Sequence, residues 1–463
     1  MKNNRISLMM LAAGTAAAVC FAVTYRTMIS AEGYEPYEPS EVIRAVRGRI
    51  LDRNGVLLAG NSSEGGRFFP EDICPHLLGS VSSDGQPQGG AELAFDSLLA
   101  GENGYKSAGS SVPVRHGQDV YLTIDADIQR AAEQMLKDAA ERYAKGVDYD
   151  TKAPFSGSAG AAVVLDCRSG EVLACASWPT YSLNELARDY ESLVTAEPSP
   201  LPDRALQGLY RPGSALKTVT AAAALSEGAI NENTRFYCSS RLHLADTDFS
   251  CMKAHGYIDV KGALEVSCNI FIYKTALRLG IDGLLKYQRL FGLGEAPAFE
   301  LPTLAGQLSS PEASDGLLIQ SAIGQGETLC TPLQLAVTAM TIANKGVRYS
   351  PTVLRSVGYR DGSRHSGETV ETIPDGVVFD IITEGMVSST KYTYGNFALS
   401  QLDKPTAIKT GSPQSPRGYD STVIGFYPAD KPEIAFAVVL EGGANAKHSA
   451  YPLIKAYKQT KAR

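Results

Sequence analysis

Clustered positive charge is missing from this 463-residue chain: 43 Lys and Arg are dispersed among 50 Asp and Glu, leaving a net charge of -7. That balance excludes nucleic acid as a partner, because a phosphate backbone demands grouped cations. Histidine occurs only six times, without an HxH or HExxH pair, and the eight cysteines follow no metal-finger spacing. Neither a metal nor a cofactor is therefore expected. The stretch Gly324-Gln325-Gly326-Glu327 lacks the lysine of a phosphate loop and reads as a cleft wall or packing turn. Repeats and low-complexity tracts are also absent, which excludes solenoids and long disordered linkers.

The hydrophobic share, 44%, is ample for two or three domains with a substantial core. Ile6 to Tyr25 (ISLMMLAAGTAAAVCFAVTY) is an uncharged, mostly apolar run of bilayer-spanning length, preceded by Lys2 and Arg5. It predicts a single membrane anchor with a cytoplasmic tip over residues 1–30 and everything after it outside the cytoplasm. A cleaved signal peptide ending near Ala16-x-Ala18 is the alternative. In an oxidising compartment Cys238 and Cys251, which flank a polar stretch, could close a loop, whereas Cys268 reads as a small core residue.

Beyond the anchor, residues 31–118 form a modest, mostly β module. Its clearest signal is ILDRNGVLLA, two short strands around Asn54-Gly55. Residues 119–463 mix apolar strands (GAAVVLD, GEVLACASW, IAFAVVLEG) with Ala-rich helices, a pattern predicting an α+β domain with helices on the faces of an antiparallel sheet.

Within that domain, RPGSALKTVTAAAAL places Ser214 one turn before Lys217 at the mouth of a helix too apolar to face water. A serine hydroxyl is a poor nucleophile until a base takes its proton. Burial and the positive end of the helix dipole both favour the neutral amine of Lys217. The same helix start offers backbone N–H groups to an oxyanion, so the pair suits acyl transfer. Ser250-Cys-Met-Lys253, Ser388-Ser-Thr-Lys391 and Ser182-Leu-Asn184 repeat fragments of the pattern, and they read as chance matches in polar, loop-like surroundings.

Ser214-Ala-Leu-Lys217, Ser267-Cys-Asn269 and Lys409-Thr410-Gly411 occur in that order and together resemble the three motifs of the penicillin-binding protein and serine β-lactamase superfamily. RGRILDRNGVLLA, GAELAFDSLLAG, VYLTIDADIQ, YRPGSALK and HGYIDVKGALEVSCN follow one another as in the class B, monofunctional penicillin-binding proteins. The resemblance extends from about Arg47 to the carboxyl terminus. It implies the penicillin-binding transpeptidase fold, an antiparallel sheet flanked by helices with an all-helical cluster, on a small β pedestal.

The resemblance also implies a serine-type D,D-transpeptidase that cross-links peptidoglycan and is acylated by β-lactams. Ser214 would attack the bond between the two terminal D-alanines of a stem peptide, with Lys217 as general base. Ser267 and Lys409 would relay the proton to the leaving amine. Asn269 would hold the acyl amide and Lys217, Thr410 would meet the terminal carboxylate, and Gly411 would leave room for the substrate along an edge strand. The N–H groups of Ser214 and Ser412 would form the oxyanion hole. A multi-spanning membrane glycan polymerase would be the partner, since no glycosyltransferase segment is recognisable. The rival readings are a β-lactamase-like hydrolase and a catalytically idle scaffold or activator of the polymerase. Ile408 departs from the family, which has glycine there, and raises the expectation of a narrowed site.

Overall fold

The structure, a computed structural model, describes residues 41–462 except 64, 108–109, 145–158, 361–364, 375, 393–397, 417 and 443–445. The apolar run Ile6 to Tyr25, and with it the expected anchor, lies outside the described residues. Among the described residues no helix is long and apolar enough to cross a membrane. Two compact units emerge. In the smaller one, Glu41–Ile43, Gly104–Ser107 and Ser110–Val112 make a three-stranded antiparallel sheet.

The larger unit, residues 46–100 and 117 onward, begins with a five-stranded layer ordered Leu354–Val357, Val120–Leu122, Ile50–Leu51, Leu57–Asn61, Arg67–Phe68. The hairpin expected at Asn54-Gly55 is present, with a longer turn than two residues. Asp52 Oδ1 accepts from the N–H groups of Asn54 and Val56, at 2.7 and 2.8 Å, and so closes residues 52–56 from within. Behind this layer the fully buried Glu92 is held between Arg47 at 2.8 Å and Arg67 at 2.5 Å, which gives a buried carboxylate the charge partners it requires.

The core of the unit is a five-stranded antiparallel sheet. Its strands are β1 (Gly160–Asp166), β2 (Val172–Trp178), β3 (Ala407–Gly411), β4 (Ser421–Tyr427) and β5 (Ile434–Leu440), in the order β2-β1-β5-β4-β3. Every residue of β4 and β5 is buried, because both faces are covered, so the strands read as continuous apolar runs. Ala162, Val164, Phe436 and Val438 face one layer, with α1 (Ala126–Ala144) and the carboxyl-terminal α6 (Ala450–Lys461). The alternate residues Ala161, Val163, Ala437 and Val439 face the main core. That core contains α2 (Lys217–Ser226), α3 (Asn269–Leu290, interrupted at Gly280), α4 (Pro332–Ala343) and α5 (Gly376–Tyr392). Helix α4 is buried on all sides, as its composition dictates, and starts with a Thr331/Gln334 capping box. The α+β expectation with an amino-terminal β module therefore holds. Strand β3, last in the sheet, leaves one edge open beside the start of α2.

Candidate active site

Ser214 lies half-buried in a single 3₁₀ turn, Gly213–Leu216, that leads directly into α2. The turn is clamped from two sides. On one, Gly213 N–H donates to Gly324 O at 2.9 Å, so the start of the Gly324–Glu327 stretch packs against the Ser214 turn. On the other, β3 approaches so closely that a Cβ on Gly411 would lie 2.5 Å from Pro212 O and 3.1 Å from Ser214 N. Only glycine fits at position 411.

Lys217, the first residue of α2, is fully buried. Its ammonium donates to Ser267 O at 2.7 Å, Ser267 Oγ at 3.2 Å and Asn269 Oδ1 at 2.5 Å, which accounts for all three of its protons. Burial pulls its pKa down to about 8, while the nearby thiols of Cys251 and Cys268 act in the opposite direction. Asn269 opens α3 and is itself fixed, its Nδ2 donating to Ser250 O at 2.9 Å.

Ser267 precedes α3 with φ 56, the left-handed region that non-glycine residues avoid. Holding it there costs roughly 1–3 kcal/mol. The conformation turns both its carbonyl and its hydroxyl toward Lys217. From the opposite side Lys409, fully buried on β3, donates to Ser267 Oγ at 3.0 Å and to Thr410 O at 3.1 Å. Burial first, and the charge of Lys217 second, hold Lys409 well below the usual lysine range. Two buried ammoniums around one hydroxyl disfavour being charged together. Thr410 is half-buried, and Ser412 is exposed just past the end of β3.

All eight residues singled out in the sequence thus fall on four segments: the turn into α2 with the first residue of α2, the segment entering α3, strand β3 and its exit. Hydrogen bonds tie Lys217, Ser267, Asn269 and Lys409 into one network. The side chains of the three chance matches stand outside that network. Asn184 pairs through its amide with both backbone groups of Phe69, and Ser182 donates to Asp72. Ser388 and Lys391 sit within α5, a helix rather than the expected loop. Ser250 supports Asn269 through its carbonyl alone.

Ile408 does not narrow the site. On β3 its side chain alternates to the face opposite Lys409 and is wholly buried in the layer with α1 and α6. Space for it comes from its cross-strand partner Gly425, where a Cβ would lie 2.7 Å from Ile408 Cγ2.

A second constellation, which sequence spacing did not reveal, adjoins the Ser267–Asn269 segment. Cys238, Cys251, His255 and Cys268 bring one donor atom each within 4.8 Å of one another. His255 Nδ1 is 3.4 Å from Cys238 Sγ and 3.6 Å from Cys251 Sγ, and the sulfurs of Cys251 and Cys268 are 4.0 Å apart. The seven cysteines described are all free, so the loop-closing disulfide considered for Cys238 and Cys251 is not formed. Contact with Cys268, aided by the Asn269 N–H, pulls the Cys251 thiol down to about 4, and the same contact pushes Cys268 up. Three sulfurs and an imidazole nitrogen converging in this way fit tetrahedral Zn²⁺. An ion held there would fix the backbone on both sides of Cys268, and so the two residues that hold Lys217.

Residues 160–458 match the penicillin binding protein transpeptidase domain, and the chain belongs to that family. A relative, the peptidoglycan D,D-transpeptidase MrdA of Acinetobacter baumannii, is 30% identical over 418 residues, or 78% of this chain and 58% of MrdA. The chain spans about three fifths of the length of the MrdA relatives it matches. Among solved structures, Pseudomonas aeruginosa PBP2 in complex with WCK 5153 superposes with a TM-score of 0.75 at 27% identity, covering 90% of this chain and 96% of that one. The penicillin G acyl-enzyme complex of penicillin-binding protein A from M. tuberculosis gives 0.75 at 26% identity, with 89% and 99% covered.

Proposed function

We propose that this chain is a peptidoglycan D,D-transpeptidase that works through a Ser214 acyl-enzyme and is a target of β-lactams. One observation carries the reading: Lys217 and Lys409 share the Ser267 hydroxyl, which gives a proton path from the nucleophile's neighbour to the open edge of the sheet. In its neutral form Lys217 keeps two donors for its acceptors and offers a lone pair to the Ser214 proton. As Ser214 Oγ bonds to the carbonyl carbon between the terminal D-alanines, its proton passes to Lys217. The oxyanion is received by the N–H groups of Ser214 and Ser412.

Collapse of that intermediate breaks the C–N bond, and the leaving amine takes its proton by way of Ser267 and Lys409. The substrate's terminal carboxylate, seated against Lys409 and Thr410, restores the charge on Lys409 and thereby disfavours charge on Lys217, so donor binding prepares its own base. The amine of a second stem peptide then releases the acyl group as a cross-link. The donor lies along β3 as an added strand, with Asn269 on the other side of the acyl amide. Acylation of the M. tuberculosis relative by penicillin G supports the same chemistry at Ser214. The transpeptidase domain, residues 119–463, lies outside the cytoplasm and follows a pedestal module of residues 31–118 and a membrane anchor within residues 1–30. Glycan strands come from a multi-spanning membrane polymerase.

The test follows the adduct of penicillin G with the protein by intact mass, with Ser214→Ala beside it. A stoichiometric adduct that needs Ser214 and lasts many minutes is expected. Loss of the adduct within seconds would indicate a β-lactamase, and no adduct on a folded protein a scaffold.

A further inference from the structure

Next to the nucleophile turn, a cleft of about 470 Å³ opens between three segments that also frame Ser214. Arg211 stands three residues before Ser214, Gln325 and Gly326 follow the Gly324 clamp, and Gln414 and Ser415 follow Ser412 at the exit of β3. Arg211 spans the cleft. Its Nε donates to Gly326 O at 2.9 Å and one Nη1 hydrogen goes to Gln414 O at 3.2 Å. Three further guanidinium N–H bonds remain unspent on the described residues. The other polar groups of the lining are the amides of Gln320, Gln325 and Gln414 and the Ser415 hydroxyl, with no carboxylate among them. Asp420, hydrogen-bonded behind Ser415, is buried and already accepts from Ser415 Oγ and Gly442 N–H; Glu327, exposed next to Gly326, is not part of the lining.

We infer that this cleft is the subsite for the third residue of the donor stem peptide, and that Arg211 selects a side chain ending in a carboxylate. The inference rests on the transpeptidase reading of Ser214 and adds to it the chemistry of the donor. If the terminal carboxylate sits at Lys409 and Thr410 and the scissile carbonyl at Ser214 and Ser412, the preceding residue lies one extended step, about 3.3 Å, farther along the strand exit. That step leads from Ser412 toward Gln414, where the cleft begins. A guanidinium held by two backbone carbonyls is pre-organised, so its remaining N–H groups meet a carboxylate in a fixed fork. A lysine in its place would supply charge without the fork. The half-buried setting of Arg211 makes the contribution moderate.

Two synthetic donors, identical except for a carboxylate or a carboxamide at the end of the third side chain, test the assignment in the full-length protein. Acyl-enzyme formation is followed by intact mass for the wild type, Arg211→Gln and Arg211→Lys. Because the donors share the scissile bond, the ratio of their kcat/KM values cancels any effect of substitution on the Ser214 turn. The wild type is expected to favour the carboxylate about five- to twentyfold, Arg211→Gln to lose that preference, and Arg211→Lys to keep part of it. A wild-type ratio near one, or a ratio unchanged in Arg211→Gln, overturns the assignment. A wild type that reacts with penicillin G but with neither donor also overturns it, while leaving the acylation chemistry of Ser214 standing. Reaction with nothing removes the reading beneath both.

Discussion

Lys217 and Lys409, both fully buried, converge on a single acceptor, the Ser267 hydroxyl, at 3.2 and 3.0 Å. Burial lowers both pKa values, Lys217 to about 8, and the charge of Lys217 lowers that of Lys409 further. A general base acts only when neutral, so acylation should rise with pH through the Lys217 midpoint. At pH 7 about a tenth of Lys217 is neutral, and the acylation rate by penicillin is expected to climb about tenfold between pH 7 and pH 9.5. Stopped-flow acylation across that range checks it. A rate that is flat or falling over the same interval would remove Lys217 from the role of base.

The strained backbone of Ser267 separates two contributions of one residue. Ser267→Ala keeps the strain and loses the hydroxyl. Ser267→Gly loses the hydroxyl but adopts φ 56 without penalty. If the hydroxyl is the proton bridge, both variants should acylate about a hundredfold or more slowly than the wild type, and Ser267→Gly should be the more stable by about 1 kcal/mol. Urea unfolding and acylation kinetics together decide. Near-normal acylation by Ser267→Gly would assign the residue to backbone shape alone.

Legibility in the sequence followed locality. Ser214 and Lys217 were readable because one helical turn fixes their relation, and the apolar run after them announced burial. The strands β1 and β5 are visible as apolar runs, whereas the edge position of β3 beside Ser214 follows only from the family resemblance and not from the residues themselves, since strand order is a tertiary outcome. The convergence of Cys238, Cys251, His255 and Cys268 is hidden for the same reason. Their convergence depends on how the strand Phe236–Cys238, the exit of Thr247–Ser250 and the start of α3 pack, and Cys268 alone looks like any small core residue. Ile408 was misread because its identity was seen without that of its cross-strand partner, Gly425.

That pairing yields a prediction about stability rather than activity. Ile408→Ala removes a side chain with no solvent exposure from the layer between the sheet and helices α1 and α6, and should cost about 2–5 kcal/mol. Acylation by penicillin should stay within about threefold of the wild type, because the side chain lies on the face opposite Lys409. Thermal denaturation and intact-mass kinetics on one preparation test both halves. A large gain in acylation rate would mean that Ile408 restricts the site after all.

The Cys238, Cys251, His255 and Cys268 cluster makes a prediction that activity assays alone would not isolate. Protein prepared with Zn²⁺ present should carry about one equivalent by elemental analysis, and a strong chelator should remove it with a fall in the thermal midpoint. His255→Ala and Cys238→Ser, neither of which touches Lys217, should lose the ion. They should also acylate more slowly, because Cys268 lies between the two residues that grip Lys217. Thiol titration offers a second readout: with the ion bound, Cys238, Cys251 and Cys268 should resist modification, and after chelation they should react. Zinc-free protein with an unchanged midpoint, in which the three thiols are equally reactive before and after chelation, would reduce the cluster to four packed side chains.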